Sequence, residues 1–460
     1  MRIIHTSDWH LGQYFYGKSR ANEHQKFLTW LLVQAKDHDV DAIIVAGDIF
    51  DTATPPSYAR QMYFNFISEL QLLNCQLIIL AGNHDSVSML AESKELLNAL
   101  STRVIANVSD IDINENLAEQ VFILKNKKEE PKAVICAVPF IRPRDVIKSQ
   151  QGQSAHDKSL SLQQAIVNHY QRLFEHAQQL AKESSCKLPI IATGHLTALG
   201  VTTSDSVRDI YIGTLEALPS NAFPAADYIA LGHIHRAQKV GKTEHIRYCG
   251  SPIALSFDEA KQNKRVLLVD FDDDNLTSVT DIAVPCFQPL AMIKTSLAEL
   301  SHAVETLLSE LELSAKNNEK LWLDIELVDS DRLSDLQSRI ESLVEDYPVE
   351  ILLVRRAKQV RQQLLQDLQD NSTLSELTLD EVFDSRLQQE PYFNKASESH
   401  GEDESKGSYS DSDIKNNTNQ DTSADKSVIN TANNVDEHKK RLQILFKQTV
   451  AQVLAKGSDK

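Results

Sequence analysis

The chain has 460 residues, a formal net charge of −18 and 42% hydrophobic residues. A chain of this length divides into two or three domains, and its acidic balance argues against autonomous, tight binding of nucleic acid, which requires basic residues. No run of about 18 apolar residues is present, so no membrane span is expected. Residues 1–10 lack the pattern of a cleavable signal. Five scattered cysteines without CxxC spacing indicate a reducing compartment, so a cytoplasmic protein is expected.

The first part of the chain alternates apolar strands with helices, which indicates a layered α/β domain. Helices are predicted at Glu23–Lys36 and Pro56–Leu73. The predicted strands are Met1–Thr6, Val40–Ala46, Gln76–Ala81, Lys132–Pro139, Leu188–Thr193, Asp227–Leu231 and Arg265–Phe271. Continuous apolar strands are typical of sheets that are covered on both faces. Ligand sites in such folds lie at the carboxyl ends of the strands.

A smaller α/β domain is predicted to follow, and its sequence contains no catalytic cluster. Its strands are predicted at Gln288–Lys294, Leu321–Val328 and Val349–Arg355, and its helices at Leu297–Leu311 and Arg332–Glu345.

The rest of the chain is predicted to hold helices on either side of a polar segment, Pro391–Asp436, whose composition predicts disorder. The terminal helix has an apolar face formed by Leu442, Leu445, Phe446, Thr449, Val450, Val453 and Leu454. The expected division is therefore 1–280, 281–356, a helical region at 357–390, the polar insert at 391–436 and a terminal helix at 437–460.

Five short motifs each follow an apolar strand candidate. They are Ser7-Asp8-Trp9-His10, Gly47-Asp48-Ile49-Phe50-Asp51, Gly82-Asn83-His84-Asp85, Gly194-His195 and Gly232-His233-Ile234-His235. They supply Asp, Asn and His without a thiol, which suits Mn²⁺, Fe²⁺ or a catalytic Zn²⁺. Seven such side chains exceed the needs of one ion and match two ions that share a carboxylate.

The spacing within the motifs has a geometric meaning. Asp8 and His10 are two residues apart, as are His233 and His235, so in extended backbone both members of a pair point to one side. A glycine directly precedes four of the motif side chains, and glycine lets the chain turn sharply and approach a crowded site.

Each motif alone also has an ordinary structural interpretation. Asp48 could cap a helix, Gly-Asn-His-Asp could be a turn, and His195 could be a hydrogen-bonded core histidine. All five in this order, each just after a strand, are hard to produce by chance. The set therefore favours a metal site.

The motif set resembles that of the calcineurin-like metallophosphoesterase superfamily. Longer stretches, among them VDAIIVAGDIFDTATPPSYAR and RYCGSPIALSFDE, resemble the SbcD family of nuclease subunits within it. The resemblance covers residues 1–390 and returns at the terminal helix, whereas the polar insert departs from it. It implies a four-layer β-sandwich flanked by helices, a small α/β capping domain and C-terminal helices that bind a partner.

The resemblance also implies roles for the motif residues. Two divalent cations are expected, Mn²⁺ above all: one held by Asp8, His10 and His235, the other by Asn83, His195 and His233, with Asp48 bridging. His84 would act on the phosphate or leaving group and not as a ligand. Asp51 and Asp85 are candidates for holding a ligand or His84 in orientation, with a turn or capping role as the alternative.

Basic residues near the motifs are candidate DNA phosphate contacts, although a surface ion pair is the commoner fate of an arginine. They are Arg142, Arg144, Arg208, Arg236 and Arg247.

The implied function is that of a metal-dependent DNA nuclease subunit which assembles with SbcC, an SMC-like ATPase. The complex would act as an ATP-dependent 3'-5' double-strand exonuclease and as a single-strand and hairpin-opening endonuclease, in DNA recombination, replication and repair. Two copies of the catalytic subunit per complex are implied. The alternatives are a nucleotide phosphodiesterase on the same scaffold and a non-catalytic scaffold. The C-terminal helices have their own alternative, which is to fold back on the capping domain instead of docking on a partner.

Overall fold

The computed structural model describes residues 1–108, 117–147, 155–184, 186–207, 217–272, 275–311, 320–328 and 336–357, and near the C-terminus 383–384, 386–387, 441–443, 445–447 and 450. The chain divides into two units, Met1–Ala357 and Lys358–Lys460. The predicted disorder of Pro391–Asp436 lies outside the described residues.

The secondary structure of the first unit follows in chain order. Its strands are β1 (Arg2–Thr6), β2 (Tyr14–Phe15), β3 (Lys18–Ser19), β4 (Ala42–Ala46), β5 (Gln76–Leu80), β6 (Thr102–Ile105), β7 (Val121–Lys125), β8 (Pro131–Cys136), β9 (Ile190–His195), β10 (Tyr228–Gly232), β11 (Gln238–Lys239), β12 (Ile246–Tyr248), β13 (Arg265–Asp272), β14 (Asn275–Ala283), β15 (Leu290–Thr295), β16 (Leu321–Leu327) and β17 (Val349–Arg356). Its helices are α1 (Ala21–Asp37), α2 (Ser57–Gln71), α3 (Val87–Glu92), α4 (Lys94–Asn98), α5 (Leu117–Gln120), α6 (Pro143–Val146), α7 (Ala155–Glu183), α8 (Leu300–Glu310) and α9 (Leu336–Val344).

Two six-stranded sheets form the larger part of this unit. The first has the order β14-β13-β1-β4-β5-β6 and the second the order β11-β12-β10-β9-β8-β7. Strands β1, β4, β5 and β6 are parallel, as are β8, β9, β10 and β12. The carboxyl ends of the parallel strands therefore share one edge within each sheet.

The two sheets pack face to face between layers of helices. In β4, Ile43 and Val45 belong to a core cluster with residues of α1 and α2, whereas Ala42, Ile44 and Ala46 belong to the core between the sheets. The second sheet repeats the pattern, because Val134 of β8 packs with residues of α7. Burial on both faces explains the apolar strand sequences, and the predicted α/β sandwich is confirmed.

A smaller domain follows β14, which continues to Ala283, past the predicted boundary at residue 280. Its parallel sheet has the order β15-β16-β17, and α8 and α9 pack on it through the apolar cluster that includes Val304 and Ile340. A second cluster, formed by Phe15, Phe257, Leu290 and Trp322, joins this domain to the larger one. The domain therefore packs against the β2–β3 hairpin.

The described residues of the second unit are helical and contact one another. The rings of Phe383 and Phe446 stack with centroids 4.1 Å apart, and Gln443 donates a hydrogen bond of 2.8 Å to Asp384 Oδ1. The terminal helix thus packs against the helical segment that precedes the polar insert. Among the described residues, no helix is both long and apolar enough to cross a membrane.

Candidate metal centre

Loops after five strands, three from the first sheet and two from the second, meet at one place. The loop after β1 hydrogen-bonds to the loop after β4 through Asp8 N to Gly47 O (3.0 Å) and His10 N to Asp48 O (3.1 Å). The loop after β10 joins them through His233 N, which donates to Asp8 Oδ1 at 2.9 Å. This convergence follows from the topology, because carboxyl ends of parallel strands lie at the same edge.

The seven predicted ligands come together in this arrangement. Potential ligand atoms lie within 4.8 Å of one another in three groups: Asp8, His10 and His235; His10, Asp48 and His84; and Asp48, His195 and His233. The seventh, Asn83, places its Oδ1 2.9 Å from His195 Nε2 and 3.1 Å from His233 Nδ1. These side chains are almost entirely buried, apart from that of Asn83.

Asp48 stands at the centre of the cluster. Its Oδ2 lies 3.2 Å from His195 Nε2 and 3.7 Å from His10 Nε2, and its Oδ1 accepts the backbone N–H of His84 at 2.9 Å. It belongs to two of the three groups, one with His10 from the first sheet and the other with His195 and His233 from the second. A carboxylate in this position can serve two cations at once.

The charges of the cluster shift the titration of its members. Burial favours the neutral carboxyl of Asp48, but the imidazoles of His195 and His84 outweigh burial and hold the pKa of Asp48 well below its usual range. Burial likewise disfavours the charged ring of His195, yet the carboxylates of Asp48 and Asp8 raise its pKa to about 9. Burial, reinforced by the charge of His195, holds the pKa of His233 well below its usual value.

Four of the predicted ligands occupy the left-handed backbone region. Their φ angles are 53° at Asp8, 47° at His10, 50° at Asp48 and 89° at His233. Asp, Asn and His are the non-glycine residues that most often adopt this region, and such strain clusters at functional sites. The expectation that extended backbone aligns Asp8 with His10 is therefore wrong, since β1 ends at Thr6 and the loop turns. The side chains converge through the turn instead.

Glycines allow the loops to approach one another closely. A Cβ on Gly47, which has a φ of 95°, would lie 2.1 Å from His195 Nδ1, and a Cβ on Gly82 would lie 2.1 Å from Asp48 Oδ1. No side chain fits at these separations, so the glycine before each motif is required by space, as the sequence predicts.

The donor set fits divalent cations. Among the described residues, the buried atoms His10 Nε2 and His233 Nε2 have no hydrogen-bond partner, and such atoms are costly to leave unsatisfied. His195 is oriented by its other nitrogen, because Nδ1 lies 2.9 Å from Ala46 O. Carboxylate, amide and imidazole groups around orphaned nitrogens suit Mn²⁺, Zn²⁺ or Fe²⁺.

The aspartates beside the ligands have separate contacts. Asp51 Oδ1 lies 3.1 Å from His10 Nδ1, and its backbone carbonyl lies 2.7 Å from His84 Nδ1. Asp85 contacts neither ring through these bonds. Its carboxylate accepts the backbone N–H groups of Ile49, Phe50 and Gly82. Asp51 thus orients His10, while Asp85 fixes the loop of Asp48 against the loop of Asn83.

The candidate DNA-contacting arginines differ in exposure. Arg142 is half-buried and donates to Asp85 O at 3.0 Å, which supports the loop of Asn83 and His84. Arg144 and Arg236 are exposed. Arg247 is buried and paired with Glu244 and Asp281, which accounts for it structurally. Arg208 lies outside the described residues.

Two residues at the site were not predicted from the sequence. Ser206 and Glu259 both approach His235 Nδ1, at 2.5 Å and 3.4 Å. They belong to no recognised motif and lie far from His235 along the chain, so only the folded structure reveals them.

Comparisons with known proteins agree with this geometry. Residues 1–237 match the family model described as calcineurin-like phosphoesterase, and residues 286–391 match the model described as type 5 capsule protein repressor C-terminal domain. The first match covers more than half of the chain and defines its class, that of the calcineurin-like phosphoesterases.

Two curated relatives narrow the class. The SbcD component of the nuclease SbcCD from Escherichia coli (strain K12) is 50% identical over 387 residues, which cover 84% of this chain and 92% of that protein. The protein of the same name from Bacillus subtilis (strain 168) is 30% identical over 343 residues, which cover 73% of this chain and 81% of that protein. The chain belongs to the SbcD family, and it is accordingly a metal-dependent, phosphodiester-hydrolysing nuclease subunit.

Proposed function

We propose that the clustered side chains hold two divalent cations, Mn²⁺ above all. Asp8, His10 and His235 would hold one cation, Asn83, His195 and His233 the other, and Asp48 would bridge. The observation that carries the proposal is the position of Asp48 Oδ2 between His195 Nε2 and His10 Nε2. His195 belongs to the second sheet and His10 to the first, so the carboxylate faces ligands from both sides.

Bound cations would supply charge neutralisation at the phosphodiester and lower the pKa of an attacking water. The protein's own groups do the rest. The hydrogen bond between His84 Nδ1 and the Asp51 carbonyl fixes the His84 ring, and imidazole titrates near neutrality. We propose that this ring stabilises the transition state or protonates the departing oxygen. Asp85 and Arg142 would keep His84 in place by holding its loop.

The proposed substrate is DNA and the proposed partner is SbcC. Both are supported by the names of the relatives, which make them the SbcD component of a nuclease called SbcCD. Arg144 and Arg236 are exposed near the site and are the proposed phosphate contacts among the described arginines. The proposed activities are ATP-dependent 3'-5' double-strand exonuclease and hairpin-opening endonuclease, in a complex with two copies of this chain. A cytoplasmic location is supported by five cysteines that are all free.

The test is cleavage of a hairpin duplex by this chain with and without Mn²⁺, ATP and SbcC, beside a cyclic-nucleotide substrate. We expect Mn²⁺-dependent cleavage of the hairpin, and stimulation by ATP only when SbcC is present. Preferential hydrolysis of the cyclic nucleotide would instead assign the chain to the nucleotide phosphodiesterases. Equal activity in the presence of a chelator would contradict the proposed metal centre.

The C-terminal helices offer a separate prediction. Deleting Glu437–Lys460 removes Phe446 and leaves its stacking partner Phe383 uncovered. We expect co-purification with SbcC to be lost or strongly reduced, while Mn²⁺-dependent cleavage of a small phosphodiester stays within about twofold, because the site lies in the other unit. Replacing residues 400–430 with a short polar linker is the control, and this variant should retain the partner. Unfolding of the catalytic domain in the deletion would favour the alternative that the helices fold back on the capping domain.

A further inference from the structure

A buried carboxylate lies outside the seven predicted ligands and contacts one of them. Glu259 ends a short 3-10 turn, Phe257–Glu259, and its side chain is inaccessible to solvent. Its Oε1 lies 3.4 Å from His235 Nδ1. A carboxylate buried this completely needs a full set of donors, and the identity of those donors shows what Glu259 is for.

The donors to Glu259 come from three separate segments of the chain. Oε1 accepts the hydroxyls of Ser204 and Ser206. Oε2 accepts the backbone N–H of Leu255 at 3.0 Å and the ammonium group of Lys264 at 2.6 Å. Because an ammonium group and several neutral donors satisfy it, Glu259 is an ionised, acceptor-only group.

The bond between Ser206 and His235 then has one direction. Ser206 Oγ lies 2.5 Å from His235 Nδ1 and also contacts Glu259 Oε1. A hydroxyl has one proton, and the carboxylate can only accept it, so Ser206 donates to Glu259 and accepts from His235. His235 therefore carries its proton on Nδ1, which leaves the Nε2 lone pair for the cluster containing Asp8 and His10.

The same network holds the backbone of His235. Lys264 Nζ donates to the His235 carbonyl at 3.1 Å while it pairs with Glu259, and Ser251 N donates to the same carbonyl at 3.1 Å. Glu259 thus fixes the ring of His235 through Ser206 and its main chain through Lys264. A metal-ligating histidine whose other nitrogen is held in this way has a defined tautomer and orientation.

We infer that Glu259, acting through Ser206, is a positioning residue that presets His235 as a cation ligand. This inference rests on the proposed metal-binding role of His235. Glu259 itself binds neither cation nor substrate. Its loss should weaken the cation held by Asp8, His10 and His235 and spare the cation held by Asn83, His195 and His233.

The test is titration of the full-length, metal-free protein with Mn²⁺, followed by calorimetry and by electron paramagnetic resonance of bound Mn²⁺. For Glu259→Gln we expect about 10–100-fold weaker binding of one of two ions, with the second ion within about twofold of wild type. Ser206→Ala should have a smaller effect of the same kind. The double variant should lose less affinity than the sum of the two single losses, because both changes break one chain of hydrogen bonds.

Glu23→Gln is the matched control. Glu23 is also a buried carboxylate with a cationic partner, Arg20 at 2.5 Å, but it contacts none of the predicted ligands through its ion pair. We expect this variant to lose thermal stability and keep the affinity for both ions. Equal losses of Mn²⁺ affinity in Glu23→Gln and Glu259→Gln would reduce Glu259 to a merely structural residue.

His235→Ala separates failure of this inference from failure of the proposed metal centre. If His235→Ala loses one ion and Glu259→Gln binds both as wild type does, the positioning role of Glu259 is refuted and the metal centre stands. If His235→Ala itself binds two ions with unchanged affinity, His235 is no ligand and both proposals fail.

Discussion

Replacement of Asp48 by alanine is expected to abolish binding of both cations and cleavage with them. The carboxylate is the group that faces His195 on one side and His10 on the other. Its removal takes a ligand from each ion, and the loss of affinity should exceed the roughly 10–100-fold cost of losing an outer partner. The alanine variant also leaves the His84 N–H without its acceptor. Metal content after dialysis against Mn²⁺, measured by mass spectrometry, checks the prediction.

Two further variants separate charge from shape. Asp48→Asn keeps an acceptor for the His84 N–H but removes the negative charge, so it should fold like the wild type and still bind metal poorly. Asp227→Asn is the control at the other end of the strands, where its carboxylate accepts Ile190 N at 2.7 Å. That variant should keep both ions. Full Mn²⁺ occupancy in Asp48→Ala would contradict the bridging role.

Replacement of His84 by alanine is expected to separate metal binding from cleavage. His84 lies beside the ligands, with its ring centroid 4.7 Å from that of His10, and the Asp51 carbonyl fixes its orientation. Loss of a general acid or of a group that stabilises the transition state costs about 10²–10⁴-fold in kcat. We expect a decrease of this size on a hairpin substrate, with both Mn²⁺ ions retained.

The same variant distinguishes two roles that the geometry alone leaves open. His84 also forms a compact group with His10 and Asp48, and a ligand in that group would take an ion with it when removed. A metal content of one ion in His84→Ala would therefore make His84 a ligand and overturn the catalytic assignment. His169→Ala, which removes a buried histidine on α7 away from the cluster, is the control and should cleave at the wild-type rate.

Elements of the fold that were predicted from the sequence are those with a one-dimensional signal. β4 and β5 are buried on both faces, so their sequences are continuously apolar, and the predicted bounds agree within a few residues. β14 was missed because it lies at the edge of its sheet and is largely exposed. Its residues NLTSVTDIA form a strand because β13 offers a partner, and a partner is invisible in the local sequence.

The long helix α7 was also missed, although its signal was present. Leu162, Ile166, Tyr170, Leu173 and Ala177 are buried at helical spacing along it. The polar residues between them, which face solvent, obscure the pattern when apolar runs alone are sought.

The motifs of the candidate site were predictable, but their surroundings were not. Asp8, Asp48 and His233 could be found because each follows an apolar strand in a recognisable order. The left-handed backbone at these positions and the contact between Glu259 and His235 depend on loops that meet only after folding. Sequence spacing therefore identified which residues converge and could not show how the loops turn or what holds them.

The proposed ligands are shared between the two halves of the sandwich: Asp8, His10, Asp48 and Asn83 follow strands of one sheet, whereas His195, His233 and His235 follow strands of the other. Cations bound here would act as cross-links across the interface, and their binding energy would add to the cohesion of the two sheets. At a free ion concentration 100 times the Kd, one such ion adds about 2.7 kcal/mol to the free energy of unfolding. Loading with metal and separation of the sheets are then opposing reactions, so depletion of the ions would loosen the whole sandwich as well as silence its chemistry.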